Sequence, residues 1–301
     1  MIGTVASSSI DPAANSDLHR RTQPRKRLAF RGSPRHIDSM NKRRGLGAFA
    51  VGTGVGSLGG LIGLGGAEFR LPFLIGLFRF AALEAVILNK AASLVVVATA
   101  LPFRATTVPL ASVAAQWPII FNLLAGSLLG AWFGAGWATR LKSATLYKVI
   151  AALLILVAIV LVFGHDPDAA GSQLVTGAAL IVAGIIAGFA IGVVASLLGV
   201  AGGELLIPTL VLLFGADIKL AGSLSLAVSL PTMLVGFTRY SRDQSFSVIG
   251  RNKAFLLAMA AGSIFGTYIG GQLLGVVPEQ ILLPLLAAIL VISAYKIWRH
   301  E

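Results

Sequence analysis

Two stretches of this chain hold the residues best suited to binding a charged molecule. Residues 63–72 read Gly-Leu-Gly-Gly-Ala-Glu-Phe-Arg-Leu-Pro, and residues 199–208 read Gly-Val-Ala-Gly-Gly-Glu-Leu-Leu-Ile-Pro. A helix that starts after such glycines presents free backbone N–H groups and the positive end of its dipole, which together attract an anion. Each stretch also carries one carboxylate, Glu68 or Glu204. The pattern therefore indicates an anion site built from two helix ends.

The two stretches belong to an internal repeat whose corresponding residues are 136 positions apart. Glu68 matches Glu204 without a gap in the alignment. The match continues downstream, where glycines recur every fourth residue at Gly126, Gly130 and Gly134, and again at Gly262, Gly266 and Gly270. Glycines at this spacing share one helix face and let helix backbones approach closely. Broken helices at corresponding places in two repeats are typical of a transporter's substrate site.

The composition is that of a membrane protein. The sequence is 56% hydrophobic and 12% charged, with a mean hydropathy of +0.87. Apolar stretches such as 144–163 have the roughly 20 residues that cross a bilayer as a helix. We therefore predict an all-α polytopic membrane protein. The absence of cysteine excludes disulfides, thiolate metal sites and cysteine nucleophiles.

Charges and turn residues divide the chain into a basic tail (1–45), a first membrane repeat (46–165), a linker (166–181) and a second membrane repeat (182–301). Apolar runs predict five helices in each repeat, at 46–65, 68–80, 83–103, 115–139 and 144–163, and at 182–201, 204–215, 219–239, 253–274 and 279–298. The second helix of each repeat is too short to cross the bilayer alone. We therefore expect about 8–10 membrane helices, including two short broken or re-entrant ones.

Loop charges indicate that the repeats are inverted relative to each other. Two pairs of equivalent loops have opposite bias: Arg140, Lys142 and Lys148 stand against the uncharged or acidic residues 276–280, and Arg104 stands against Arg239, Arg242, Arg251 and Lys253. Because basic residues stay in the cytoplasm, such loops require opposite orientations, with both termini cytoplasmic and the linker outside. The alternative is four full spans plus a re-entrant segment per repeat, which makes the repeats parallel and the linker internal.

The tail of residues 1–45 has ten Lys and Arg against three Asp, a net charge of +7, and no apolar periodicity. This composition predicts a disordered cytoplasmic segment. No interleaved aromatic residues accompany the charge, so no nucleic-acid partner is expected. The alternatives are an organellar targeting peptide and a start codon placed too far upstream.

The duplicated element of glycines, glutamate and proline resembles the sulfite exporter TauE/SafE family. The resemblance rests on residues 63–72 and 199–208, each followed by an Ala-rich helix with Ser-Leu, at 91–94 and 225–230. It extends from about residue 46 to the C-terminus and leaves the basic tail unmatched. It implies a bacterial or organellar inner-membrane permease with seven to nine spans that carries small anions, typically sulfur oxyanions or organosulfonates.

We expect the substrate to contact the two breaks and the helices that follow them. The candidate residues are Gly65, Gly66, Glu68, Asn89, Lys90, Ser93, Gly202, Gly203, Glu204, Ser225 and Ser229. The glycines leave the backbone open to a ligand. The hydroxyl and amide side chains can donate to oxyanion oxygens, although a serine in a helix more commonly bonds to its own backbone.

The charged candidates each have more than one interpretation. Glu68 and Glu204 either take up protons with the substrate, because burial favours the neutral form of a carboxyl group, or cap their short helices and satisfy buried basic partners. Lys90 lies opposite Leu226 of the second repeat. It is a counter-charge for Glu68, a direct attraction for the anion, or a snorkelling side chain. Arg70 has the same roles open to it, or is merely solvated if the break lies near an interface.

These features predict a secondary transporter, or permease, for a small anion, sulfite or an organosulfonate, with proton coupling through the carboxylates. An intramembrane enzyme is disfavoured because the histidines lie in the tail or at predicted membrane edges: His19, His36, His165 and His300. No catalytic constellation, metal site or cofactor is therefore predicted. The other alternative is a non-transporting membrane scaffold or assembly protein. The expected partners are the anion and the lipid bilayer, and the expected location is the cell inner membrane.

Overall fold

A computed structural model describes residues 34–62, 66–104, 108–163, 176–272 and 279–299. Residues 42–301 form one compact unit, distinct from residues 1–41. The architecture given below is that of the larger unit. Throughout the described residues the regular elements are helices, and no strand occurs among them. The all-α prediction is confirmed.

Twelve α-helices occur in the described ranges. They are α1 (Pro34–Ile62), α2 (Ala67–Gly76), α3 (Ala82–Arg104), α4 (Leu110–Ala115), α5 (Trp117–Ala138), α6 (Ser143–Phe163), α7 (Gly177–Leu198), α8 (Gly203–Phe214), α9 (Ile218–Tyr240), α10 (Ser247–Arg251), α11 (Lys253–Gln272) and α12 (Glu279–Trp298). A short 3-10 helix, Gln244–Phe246, lies between α9 and α10.

Several of these helices are long and apolar enough to cross a membrane. Among the described residues four segments qualify alone: Ala82–Ala100, Trp117–Ala138, Gly177–Leu198 and Lys219–Tyr240. A fifth qualifies if Gln244–Arg251 and Lys253–Ile269, which meet at a bend of 74°, form one span. Shorter apolar helices lie at Ser143–Ile159, Gly203–Phe214 and Ala287–Trp298. The chain is polytopic, as predicted.

The largest differences from the predicted helix boundaries are at the starts of α1 and α7. Residues 1–33 of the predicted tail (1–45) lie outside the described residues, and α1 begins at Pro34, inside that tail. Likewise, α7 begins at Gly177, inside the predicted linker 166–181. The reason is that hydropathy locates the apolar part of a helix, whereas the backbone hydrogen bonds of the helix continue into more polar sequence.

Equivalent helices of the two repeats begin at the interval seen in the sequence. The starts that are 136 positions apart are Ala67 and Gly203 for α2 and α8, Ala82 and Ile218 for α3 and α9, Trp117 and Lys253 for α5 and α11, and Ser143 and Glu279 for α6 and α12. The first helices, α1 and α7, end at the same interval. The breaks after α1 and α7 therefore occupy equivalent places in the fold.

The first helix of each repeat packs against the other repeat. In α5, Gly126 and Gly130 lie directly against the backbone of α7, where a Cβ atom would overlap the carbonyl oxygens of Ile185 and Phe189. The equivalent glycines of α11, at 262 and 266, lie against the backbone of α1 in the same way. Small residues allow this close approach of helices in a membrane. The two repeats thus exchange their first helices.

The equivalent helices α3 and α9 cross in opposite directions. A Cβ atom at Gly236, near the end of α9, would lie 2.8 Å from Cε of Lys90, in the first half of α3. Glu84, at the start of α3, accepts a hydrogen bond of 2.7 Å from Arg251, which follows the end of α9. Since equivalent helices run antiparallel, the two repeats are inverted. This is the arrangement that the loop charges predicted.

Basic residues concentrate at the end of the bundle where α5 and α9 terminate, called the basic end below. Arg239 lies in the last turn of α9, and its guanidinium contacts Gly136 near the end of α5. At the same end, Arg44 of α1 donates to the carbonyl oxygen of Phe78 over 3.4 Å, just before α3. Lys148, in the first turns of α6, lies 6.0 Å from the ring of Trp298 at the end of α12. The end of α12 therefore lies beside the start of α6.

Candidate substrate site at two broken helices

Glycines in the left-handed conformation interrupt both repeats. Gly66 has φ 67° and Gly202 has φ 81°, and each stands immediately before a short helix, α2 or α8. Gly199, which ends α7, has φ 68°. A residue with a Cβ atom disfavours this conformation by about 1–2 kcal/mol. The glycines therefore end one helix and start the next within a few residues, and neither short helix has a side-chain cap at its N-terminus.

The two short helices begin beside each other. Glu68 and Glu204 are each the second residue of their helix, and they are buried, with 1% and 4% of their surface exposed. Their carboxyl groups interact with each other across the two repeats. Within the described part of the chain, the Glu68 oxygens have no hydrogen-bond partner of good geometry. The two positive helix ends thus converge on one buried place, as the sequence predicted.

Arg70 belongs to the same cluster and is completely buried. Its Nη1 donates to Oγ of Ser93 over 3.2 Å and, at 3.5 Å, to Oδ1 of Asn89. It also interacts electrostatically with Glu68. Its Nε and Nη2 find no acceptor among the described residues. The interpretation of Arg70 as a solvated residue is wrong, because the break lies deep in the bundle rather than at an interface.

Asn89 connects the two breaks. Its Nδ2 donates to the carbonyl oxygen of Ala67, at the start of α2, over 3.0 Å and to that of Leu198, at the end of α7, over 3.2 Å. The same side chain accepts from Arg70. One amide therefore satisfies the carbonyl of Leu198, which has no helical partner at the end of α7, and joins it to the first carbonyl of α2.

The candidate serines are buried and separate into two groups. Ser93 accepts from Arg70, and Ser229, its equivalent in α9, donates to the carbonyl oxygen of Ala201 in the second break over 2.8 Å. Ser225 instead donates to Gly222 in its own helix, over 2.9 Å. Two of the three therefore contact a break or the arginine beside it. Gly203 is the first residue of α8, whereas Gly65 lies outside the described residues.

Lys90 contacts the end of α7. Its Nζ donates to the carbonyl oxygen of Ala195 over 3.4 Å and to Oγ of Ser196 over 3.5 Å. The hydroxyl of Tyr240 donates to the carbonyl oxygen of Ser196 over 2.9 Å. A lysine at the negative end of a helix dipole is favourably placed. The described hydrogen bonds of Lys90 therefore go to α7 rather than to Glu68.

Among the described residues, the buried charged side chains are Glu68, Arg70, Lys90 and Glu204. The two acids are equivalent by the repeat, whereas the two bases occur only in the first repeat, opposite Leu206 and Leu226. With all four ionised, the formal charge of this cluster is zero. The symmetric scaffold thus holds an asymmetric site, whose basic groups all come from α2 and α3.

The sequence model of the sulfite exporter TauE/SafE family matches residues 18–161 and 48–297. The chain belongs to the TauE/SafE family. Because this is a family of membrane transporters, the buried cluster lies in a chain of a transporter family. No curated protein and no solved structure gives a significant match. The resemblance read from the glycine-rich element is confirmed. The expectation that the basic tail stays unmatched is wrong, because the match begins at residue 18.

Sequence reasoning gave Arg70 the same possible roles as Lys90 but left it out of the residues expected to contact the substrate. Its position in the motif, two residues after Glu68, was the available signal. A charged residue next to a helix break is costly in hydrocarbon and tends to face a polar cavity or a partner. The depth of the break decides between a buried and a solvated arginine, and that depth follows from the packing of α1 and α7 against the opposite repeats.

Proposed function

We propose that this TauE/SafE protein is a secondary transporter for a small sulfur oxyanion, sulfite or an organosulfonate, and that it moves the anion together with a proton. The observation that carries the proposal is a buried arginine with two unpaired donors beside two converging helix N-termini. An anion that leaves water needs fixed donors to replace its hydration, and these groups supply them.

Arg70 is the central binding group in this proposal. A guanidinium presents N–H donors in a planar fork that matches two oxygens of an oxyanion. Its Nε and Nη2 would bind the anion, while Nη1 stays on Ser93 and Asn89 and holds the side chain in place. Backbone N–H groups at the starts of α2 and α8, around Gly66 and Gly202, would donate to the remaining oxygens.

Glu68 and Glu204 supply the proton coupling. A carboxylate beside an anion is unfavourable, and the two carboxyl groups already face each other. One proton on this pair changes the formal charge of the buried cluster from zero to +1. The cluster then complements a monovalent anion, so binding of the proton favours binding of the anion, and the reverse.

The inverted repeats supply the movement. In such folds alternating access comes from motion of one repeat against the other around a fixed site at their junction. Asn89 bonds to Ala67 of α2 and to Leu198 of α7. Movement of α2 away from α7 would therefore break its hydrogen bond to Leu198. Lys90 and Ser229 would hold the helices that flank the site, and Ser225 would stabilise α9 internally.

We also propose that the basic end of the bundle faces the cytoplasm of a cell with the protein in its inner membrane. Support comes from the position of the described arginines and lysines, which follow the positive-inside rule if that end is cytoplasmic. Both α1 and α12 have basic residues at this end, for example Arg44 and Lys296. Both termini would then be cytoplasmic.

The direct test is the thermal stability of the purified protein with sulfite, sulfate, thiosulfate, sulfoacetate, taurine and chloride. A ligand that binds only the folded state raises the melting temperature by mass action. We expect an increase with sulfite or an organosulfonate and none with chloride, together with uptake of the stabilising anion into proteoliposomes that is accelerated by a proton gradient. Equal responses to all the anions, or stabilisation without flux, would contradict the proposal and favour a scaffold.

A further inference from the structure

A second cluster of cationic groups lies at the basic end, beside the last turns of α5. A cavity of about 390 Å³ is lined there by Trp132, Phe133, Gly136, Trp137 and Arg140 of α5 and its following turn, and by Arg239 of α9. This volume is within the range of sites that hold small molecules. We propose that the cavity binds the headgroup of an acidic phospholipid, and we call it the headgroup pocket.

Two guanidinium groups lie over one indole ring of the headgroup pocket: that of Arg239, which lines the cavity, and that of Arg242, which lies beside it. The Cζ of Arg239 lies 5.6 Å from the centre of the Trp132 ring, and that of Arg242 lies 4.9 Å from it. Such contacts stabilise a cation over an aromatic face and fix its position. Two positive charges therefore lie against one side chain, and an anion bound between them would reduce their repulsion.

The backbone of α5 makes room for Arg239. A Cβ atom at Gly136 would be 3.1 Å from Nε and 3.2 Å from Nη2 of this arginine. In the described residues, the ion pair with a carboxylate at this end is that of Arg251 with Glu84, not one of Arg239 or Arg242. The neighbouring Asp243 accepts from the backbone N–H of Ser245 and caps the next turn. The guanidiniums of the pocket are thus left to bind an external anion.

The aromatic side of the pocket distinguishes a lipid from a free anion. Trp132, Phe133 and Trp137 have 40%, 60% and 44% of their surface exposed, next to the arginines and at the end of a spanning helix. Tryptophan at this depth is typical of the membrane interface. A phospholipid satisfies both halves of the surface, because its phosphate pairs with the guanidiniums while its acyl chains cover the rings. Basic pockets between membrane helices bind acidic headgroups in this way.

The pocket has no counterpart in the inverted repeat. The residues 136 positions away from Trp132, Arg239 and Arg140 are Tyr268, Phe103 and Val276, of which none is basic. The duplicated scaffold therefore does not require these arginines. A site of this kind would engage lipid from one leaflet only, the leaflet at the basic end.

The test compares lipids on the purified full-length protein in a neutral detergent. Phosphatidylglycerol and phosphatidylcholine are titrated separately, with melting temperature and retained lipid in native mass spectrometry as readouts. We expect phosphatidylglycerol to raise the melting temperature and remain bound, and phosphatidylcholine to do neither. A parallel titration with inorganic phosphate and glycerol 3-phosphate separates a lipid from a soluble anion. Equal effects of the two lipids, or the same stabilisation by inorganic phosphate, would overturn the proposal.

Variants locate the effect. Because a basic residue near the surface contributes about 1 kcal/mol to attraction of acidic lipid, Arg239→Ala and Arg242→Ala should each weaken phosphatidylglycerol binding about fivefold. The matched control is Lys142→Ala, an exposed basic residue in the turn beside Arg140 but outside the pocket. Trp132→Leu keeps an apolar side chain and should also weaken binding. If the variant that combines Arg239→Ala with Arg242→Ala still bound phosphatidylglycerol as the natural protein does, the lipid would lie elsewhere. The same conclusion would follow if Lys142→Ala weakened the binding equally.

Discussion

Replacement of Arg70 by leucine is the most informative change in the substrate site. The second repeat already has Leu206 at the equivalent place in α8, so the fold accommodates this side chain on the same short helix. The variant removes the two donors, Nε and Nη2, that have no described partner. Hydrogen bonds from a charged group contribute roughly 1.5–3 kcal/mol each, so the lower bound for two is about 3 kcal/mol, or roughly 150-fold in Kd.

The same change also affects stability, and the assay must separate the two effects. Arg70 interacts with the buried Glu68, which would lose its counter-charge. Loss of one partner from a buried charged pair is destabilising by up to several kcal/mol. We therefore expect Arg70→Leu to melt at a lower temperature, and Glu68→Gln combined with Arg70→Leu to recover part of that loss. Neither variant should be stabilised by the anion that stabilises the natural protein.

The measurement is an anion titration of the melting temperature, with flux into proteoliposomes as the second readout. Arg251→Leu is the matched control, because this arginine is 62% exposed and pairs with Glu84 at the basic end. The control should keep both affinity and flux. If folded Arg70→Leu binds the anion with the affinity of the natural protein, the guanidinium does not contact the substrate and the reasoning from its unpaired donors is wrong.

Three further variants test other parts of the site. Glu68→Gln and Glu204→Gln together should leave the protein folded but remove the dependence of flux on a proton gradient, and pH-dependent transport in the double variant would contradict the coupling. Lys90→Met removes two hydrogen bonds to the end of α7, so we expect the free energy of unfolding to fall by roughly 1–2 kcal/mol, seen as a lower melting temperature. The anion should still stabilise this variant. Loss of that stabilisation would instead make the lysine a substrate contact. Gly202→Ala places a Cβ atom at φ 81°, 3.1 Å from Cβ of Ala195, and should destabilise by about 1–2 kcal/mol, whereas Gly54→Ala, with open space around it in α1, should not.

The sequence was sufficient to predict the membrane class, the two breaks and their inverted arrangement. These properties depend on local signals, namely apolar length, glycines followed by a carboxylate, and loop charge. The convergence of the two helix starts was also expected, because equivalent breaks in inverted repeats meet at one place. The contact of Glu68 with Glu204 itself was not predicted. The sequence pattern therefore predicts those properties of the fold that depend on periodicity and on the symmetry of the repeats.

The departures from symmetry were harder to predict. Arg70 and Lys90 have leucines as equivalents, so the repeat gives no indication of their partners. Asn89 bonds to two carbonyls, at Ala67 and Leu198, which are far apart in sequence and meet only through packing. A side chain's hydrogen-bond partner is a tertiary property. The headgroup pocket was missed for the same reason, since Arg239 and Trp132 come from different helices.

The exchange of first helices between the repeats has a consequence for biosynthesis. α5 and α7 are near neighbours in sequence, and Gly126 can meet Ile185 soon after both leave the ribosome. The equivalent contact joins Gly262 of α11 to Phe49 of α1. At about 5–20 residues per second, α1 must wait roughly 10–40 s for the roughly 200 residues that precede its partner. During that time the glycine face of α1 has no packing partner in the bilayer. The first repeat is therefore fully packed only after α11 of the second repeat has been synthesised.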